Sequence, residues 1–234
     1  MRDFEDLLNL RKREVEKHLS FVAELEGDAA GRGPARPVDV EHVNILKSAF
    51  TVHLYNVVES TMSQIEREVA EELRAHSPRD WSDALFHAWL RHRAAIDEEM
   101  ADNDRLLRMV DVITEAVGRR QLRSTRVARP SGNWSHNEVE GFARTIDCNL
   151  AIPEEVHKRA CLVHFVDEKT PLDYVRHMRN QVAHGNVSFI GAVENLTVSR
   201  LRELRDSIMD YLDEVAASFA RFLNSKAYLG RPAT

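Results

Sequence analysis

Cysteine is almost missing from this chain. The two copies, Cys148 and Cys161, form no CxxC pair and are too few for a disulfide framework. Glycine (nine) and proline (seven) are also scarce in 234 residues rich in Leu, Ala, Glu, Arg and Val, a composition that favours helix over sheet. No apolar run approaches the roughly 20 residues of a membrane span, which excludes a helical membrane protein. The opening "MRDFEDLLNL" is charged from the start and lacks the apolar core of a signal peptide, so a cytoplasmic protein is expected. Basic excess is absent too. With 32 basic against 38 acidic residues the net charge is −6, so indiscriminate coating of nucleic acid is not expected, although a local basic patch could still meet RNA.

Several chemistries lack their residues. There is no glycine-rich phosphate loop and no GxSxG elbow. The pairs His87/His92 and His157/His164 do not have the i,i+4 spacing of HExxH and are read as having no supporting cysteine, and "DND" (102–104) lacks the rest of an EF-hand loop. Neither a metal nor a cofactor is expected. What remains is ordinary for a globular chain, 43% hydrophobic and 30% charged, and long enough to bury a core without staples.

Apolar residues recur at helical spacing over 3–26 (Phe4, Leu7, Leu8, Val15, Leu19, Val22, Leu25), until "GDAAGRGPARP" (27–37) reads as a loop. A long helix is expected over 39–76, with Phe50, Leu54, Val58, Ile65 and Val69 on its broad apolar face. "HSPRDW" ends it and places Asp80 to cap the next helix. Helical pattern returns over 81–96 and 106–117. "RRQLRSTRVARPSGN" (119–133), with five arginines and no acid, reads as an exposed loop. "SHNE" (135–138) is a capping box opening a helix to about Cys148. Pro153 suits the first turn of a helix over 153–168. Thr170 and Pro171 read as N-cap and N1 of the next helix, and Gly185 as its C′ residue. A last helix spans 197–223 on Leu201, Leu204, Ile208, Leu212, Val215 and Phe219. No strand is long enough to build a sheet. The fold class is all-α, an antiparallel helical bundle.

The stretch "RHMRNQVAHG" (176–185) carries the chemistry. On an ideal helix, Leu172, Val175, Met178 and Val182 form an apolar stripe, and Arg179 lies within about 40° of its centre. A permanently charged guanidinium that close to a core needs an anionic partner. Cleaving RNA without a metal needs a group that exchanges protons near neutral pH, which suits His184. It also needs a fixed positive fork for the phosphorane oxygens, which suits Arg179. Asn180 can orient a phosphate or the imidazole. Arg179 and His184 point about 140° apart on one helix. Closing the site therefore takes a curled arginine, a loosened helix end, or a second copy.

"RNQVAHG" resembles the Arg-x(4–6)-His signature of the HEPN superfamily, with a polar residue after the arginine. "HLYNVVESTMSQI" (53–65) with its Glu59, "SGNWSHNEVEGFARTI" (131–146) and "FLNSKAYL" (222–229) are similar to the MAE-type HEPN-like nuclease branch, in the same order along the chain. The resemblance implies a helical bundle that dimerises with two Arg–His motifs across a cleft. It also implies metal-independent endoribonuclease activity leaving 2′,3′-cyclic phosphate ends, in a toxin–antitoxin or phage-defence system. On this reading His184 is the acid/base, Arg179 the phosphate clamp, Asn180 a polar helper and Glu59 an orienter of the site. Where HEPN toxins silenced by adenylylation carry a tyrosine two positions after the histidine, this chain has Asn186, which argues against that control.

The chain then divides into an N-terminal helix and loop (1–37) and a HEPN-like helical domain (38–234). Arg119, Arg120, Arg123, Arg126 and Arg129 form a candidate RNA-docking strip, set against the simpler reading of a solvated charge run. Trp134 could stack on a base, although a tryptophan just ahead of a capping box suits a packing role. The expected partners are RNA (tRNA or mRNA), a second copy of the chain, and an antitoxin or defence protein. The alternative is a catalytically inactive HEPN scaffold or nucleotide-sensing module.

Overall fold

The computed structural model describes residues 1–29, 39–94, 101–120, 122–127, 132–193 and 196–230. Among them are eight α-helices and no strand: α1 (Asp3–Ala29), α2 (Val40–Arg74), α3 (Asp83–Ala94), α4 (Asp102–Ala116), α5 (His136–Thr145), α6 (Glu154–Cys161), α7 (Pro171–Ala183) and α8 (Val198–Asn224).

The long helix α2 is the axis of the bundle, and at 35 residues it spans about 52 Å. Contacts fix the direction of its neighbours. Going along α1, Phe4 meets Glu68, His18 meets His53, and Glu26 pairs with Lys47, so α1 runs antiparallel to α2. Lys12 and Glu16 of α1 reach Asp213 and Arg205 of α8, again in antiparallel order. It follows that α2 and α8 run the same way, with α1 laid across both. The stripes that drive this packing are buried: Phe4, Leu8, Val15, Leu19 and Val22 of α1, and Leu201, Leu204, Ile208, Leu212, Val215 and Phe219 of α8.

Polar groups inside the bundle are paired. Lys47, nearly buried, bonds Glu26 at 2.6 Å and the Leu196 carbonyl at 2.8 Å. The Glu68 carboxylate accepts the Phe4 amide at 2.8 Å, satisfying one of the orphan donors that open α1. Burial raises its pKa, and the bonds from Gln64 and Phe4 oppose that rise.

Four local readings need correction. Helix α1 continues through Gly27 to Ala29, and residues 30–37 of the expected loop lie outside the described residues. Asp80 does not cap α3. It sits in a single 3₁₀ turn (Pro78–Asp80), and the Ser82 hydroxyl accepts the Leu85 amide instead. Helix α6 stops at Cys161, short of residue 168. The Lys158 carbonyl takes the amides of both Leu162 and Val163, and a tight turn follows with Asp167 and Glu168 at positive φ. Part of the arginine-rich segment is a packed strap rather than an exposed loop. Thr125 and Val127 are buried, Thr125 donates to the Ala70 carbonyl at 2.6 Å, and Trp89 donates to the Ser124 carbonyl at 2.8 Å.

Candidate functional site at the α2–α7 seam

Helix α7 has firm ends. The Thr170 hydroxyl accepts the Asp173 amide and Pro171 occupies the first turn. At the other end Gly185 adopts φ +70°, its amide reaches the Val182 carbonyl, and the Asn186 amide reaches the Gln181 carbonyl. This is a Schellman ending, which fixes His184 as the C-cap. Between these ends Leu172, Val175 and Met178 are buried, docking α7 on α2 and leaving Arg179 at the rim of the seam.

The guanidinium of Arg179 lands on two residues one turn apart on α2. Its Cζ lies 4.4 Å above the Tyr55 ring, and Nη2 donates to Glu59 Oε2 at 3.1 Å. The same nitrogen donates to the Gly132 carbonyl at 2.9 Å, and Nη1 donates to Asn180 Oδ1 at 3.0 Å. Asn180 in turn donates through Nδ2 to Asn133 Oδ1 at 3.2 Å. Tyr55 is fully buried, and its hydroxyl makes no well-formed hydrogen bond among the described residues. Burial raises the phenol's pKa while the arginine opposes the rise, so Tyr55 stays neutral at ordinary pH.

This arrangement sets what Arg179 can do. A guanidinium has five N–H donors and two edges that grip an oxyanion in parallel, Nε/Nη2 and Nη1/Nη2. Both edges share Nη2, which already holds Glu59 and Gly132. Among the described residues, one N–H on Nη1 and the N–H on Nε meet no acceptor, so an incoming phosphate takes them singly unless Nη2 releases an acceptor.

His184 lies apart from this cluster. Its side chain is exposed and makes no hydrogen bond or ion pair among the described residues. Spacing alone revealed neither Tyr55 nor the pair Gly132 and Asn133. Tyr55 had a usable signal, one helical turn before Glu59; the other two had none. Around Arg179 the donor set among the described residues is one carboxylate with amide and carbonyl oxygens, with no imidazole or thiol bonded to them, a poor set for a transition metal.

The arginine strip is partly engaged. Arg120 and Arg123 pair with Asp111, and Arg123 also approaches the buried carboxylate of Glu115. Arg126 faces Glu66, whose carboxyl is raised by burial and lowered by that arginine. Arg119 is exposed with no ion pair among the described residues, and Arg129 lies outside them. Arg123 and Arg126 line an open groove of about 680 Å³ with Ser63, Glu66, Arg67 and Arg74 of α2. Since Glu59, Ser63 and Glu66 stand at i, i+4 and i+7, the groove continues the face of α2 that holds Arg179. Trp134 is buried edge-to-face on Phe142, ahead of the Ser135/Glu138 capping box, so it is not displayed for stacking on a base.

A family model described as MAE_28990-like HEPN matches residues 3–228. No curated protein and no solved structure matches the chain.

Proposed function

The chain belongs to the MAE_28990-like HEPN family, and on that premise we propose that it is a metal-independent endoribonuclease acting at Arg179 and His184 in a cleft between two copies. The setting we infer is a toxin–antitoxin or phage-defence system. The observation that carries the reading is Arg179 itself, a charged side chain cradled by Tyr55, Glu59, Gly132 and Asn180 at the rim of the fold, five residues before an exposed histidine on a fixed cap.

In the proposed reaction His184 takes the proton of a ribose 2′-hydroxyl. The 2′-oxygen attacks the adjacent phosphorus, and the 5′-oxygen leaves with a proton supplied by His184 of a second copy. The products are a 2′,3′-cyclic phosphate and a 5′-hydroxyl. Arg179 meets the phosphorane oxygens as their charge grows, with Asn180 beside it and Glu59 orienting the fork. The open groove along α2, with Arg67, Arg74, Arg123 and Arg126, supports a path for the RNA backbone. An exposed apolar stripe on α4 and its C-cap, Leu106, Val110, Ile113 and Val117, supports association with a second copy or a partner protein.

A second reading is a catalytically inactive HEPN scaffold. The existing bonds of Nη2 favour it, because a structural arginine needs no free edge. The test is incubation of wild type and His184→Ala with total tRNA and a long mRNA in EDTA, with product ends mapped and helicity checked in the same buffer. Discrete cuts with cyclic phosphate ends by the wild type alone are expected. Equal cutting by both proteins rejects the site, and no cutting by folded wild type favours the scaffold.

A further inference from the structure

Away from the Arg179 seam, two helices each present a pair of metal-ligating side chains one turn apart. Helix α5 carries His136 and Glu140, and α6 carries His157 and Cys161, both at i,i+4. The fold turns these pairs toward each other. His136 Nε2 and His157 Nε2 stand 2.9 Å apart, Glu140 Oε1 is 3.2 Å from the same His136 nitrogen, and the ligand atoms of His136, His157 and Cys161 all lie within 4.8 Å of one another. We propose that His136, His157 and Cys161 bind one Zn²⁺, with the Glu140 carboxylate closing a tetrahedral site.

The donor set argues for that ion. Two imidazoles, a thiolate and a carboxylate match the nitrogen, sulfur and oxygen ligands zinc takes, whereas magnesium and calcium prefer oxygen alone. The spacing fits with little movement. Zn–N bonds of about 2.0–2.1 Å put two tetrahedral nitrogens about 3.3 Å apart, so the imidazoles part by a few tenths of an ångström. The half-exposed Glu140 swings in to complete the shell.

A partner for the outer nitrogen is already in place. His136 Nδ1 lies 3.0 Å from the hydroxyl of Tyr211, which is fully buried on α8. Without metal, one of the facing Nε2 atoms must carry a proton toward the other. With metal, His136 carries its proton on Nδ1 and donates it to the Tyr211 oxygen, leaving Nε2 a lone pair for zinc. Burial already keeps His136 below the usual imidazole range, and it pushes the Cys161 thiol up to about 12, so metal binding displaces the thiol proton.

The site joins α5 to α6 beside α8, three residues beyond Asn133. Zinc there steadies the start of α5 and the Gly132–Asn133 segment that touches Arg179 and Asn180. This assignment does not depend on the ribonuclease reading.

The experiment uses the full chain, stripped by dialysis against a chelator and titrated with Co²⁺ and with Zn²⁺ against a chromogenic indicator. Expected is one Co²⁺ per chain with intense tetrahedral d–d bands and a near-ultraviolet thiolate charge-transfer band, displaced by one equivalent of Zn²⁺. The near-isosteric Cys161→Ser variant loses the charge-transfer band, and Cys148→Ser keeps it. His157→Ala weakens zinc binding by more than the roughly 10–100-fold typical of losing an outer-shell partner. The proposal is overturned by substoichiometric binding, by a cobalt spectrum without the thiolate band, or by a folded Cys161→Ser protein with unchanged zinc affinity.

Discussion

The Arg179–Glu59 contact gives a coupling energy that can be worked out and measured. The pair meets at 3.1 Å with the two side chains 22% and 35% exposed. A hydrogen bond to a charged group contributes about 1.5–3 kcal/mol and a neutral one about 0.5–1.5 kcal/mol. Glu59→Gln keeps the shape and an acceptor but removes the charge, which costs about 1 kcal/mol before solvent screening. Partial exposure draws this toward the roughly 0.2–1 kcal/mol of surface pairs, leaving about 0.5–1 kcal/mol. Arg179→Met removes the Glu59, Gly132 and Asn180 bonds and the stack on Tyr55 together, so its own cost is larger, about 2 kcal/mol or more. In that background Glu59→Gln should cost almost nothing. The assay is a double-mutant cycle by urea unfolding followed by far-UV circular dichroism, since urea does not screen charges as guanidinium chloride does. A coupling of about 0.5–1 kcal/mol that shrinks in high salt is expected. Additivity within about 0.3 kcal/mol refutes the view that Glu59 holds the arginine.

Two further outcomes test the site's frame and the interior. Gly185→Ala should cost about 1–2 kcal/mol in urea unfolding and Gly185→Asn less, because no atom crowds the Cβ and the whole penalty is the φ of +70°; equal stability of Gly185→Ala and wild type would remove the Schellman ending as the reason for the cap. His18 and His53 face each other at 3.2 Å, with Glu14 and Arg11 beside them; burial lowers both pKa values, and the charge of His53 further lowers that of His18. Their stabilising contribution is therefore full above the unfolded value of about 6.5 and is lost as pH falls through the depressed folded values. The melting temperature should drop between pH 7.5 and 5.5, less steeply in His53→Gln, and an identical drop in both proteins would exclude this pair as the cause.

Legibility followed the range of the interaction. The ends of α7, the Ser135 capping box and the α8 stripe rest on residues within one or two turns, and the sequence displays them directly. The early end of α6 could not be read, because its periodicity continues while Lys158 diverts two amides to one carbonyl. The packed strap escaped for a different reason. Its arginines dominate the composition, yet Thr125 and Val127 fix its path by reaching into the core. At the site, helix phase placed Arg179 at the edge of the apolar stripe and the resemblance pointed to Glu59 and Asn180, but the Gly132 carbonyl that also meets the guanidinium is far away in sequence and left no signal. The His136, His157 and Cys161 cluster shows the same limit. Two i,i+4 pairs lie in the sequence, His136/Glu140 and His157/Cys161, but pairing His157 with His164 passed over both, and only the fold brings the two helices together.

The donor count at Arg179 also bears on how substrate would engage. Of the two acceptors on Nη2, the Glu59 carboxylate is charged and the Gly132 carbonyl is neutral, so the carbonyl is the weaker ligand. In the proposed reaction a phosphate oxygen therefore displaces Gly132 and leaves Glu59 in place, trading a neutral acceptor for a charged one and opening one bidentate edge. Gly132 is joined to Asn133, which holds Asn180, and two residues later Ser135 begins the α5 cap. In the proposed reaction, phosphate binding at Arg179 is thus linked to the position of the start of α5 through four consecutive residues. Anything that fixes α5 against α6 and α8 resists the release of Gly132, which makes the opening of Arg179 a property of the α5 junction as much as of α7.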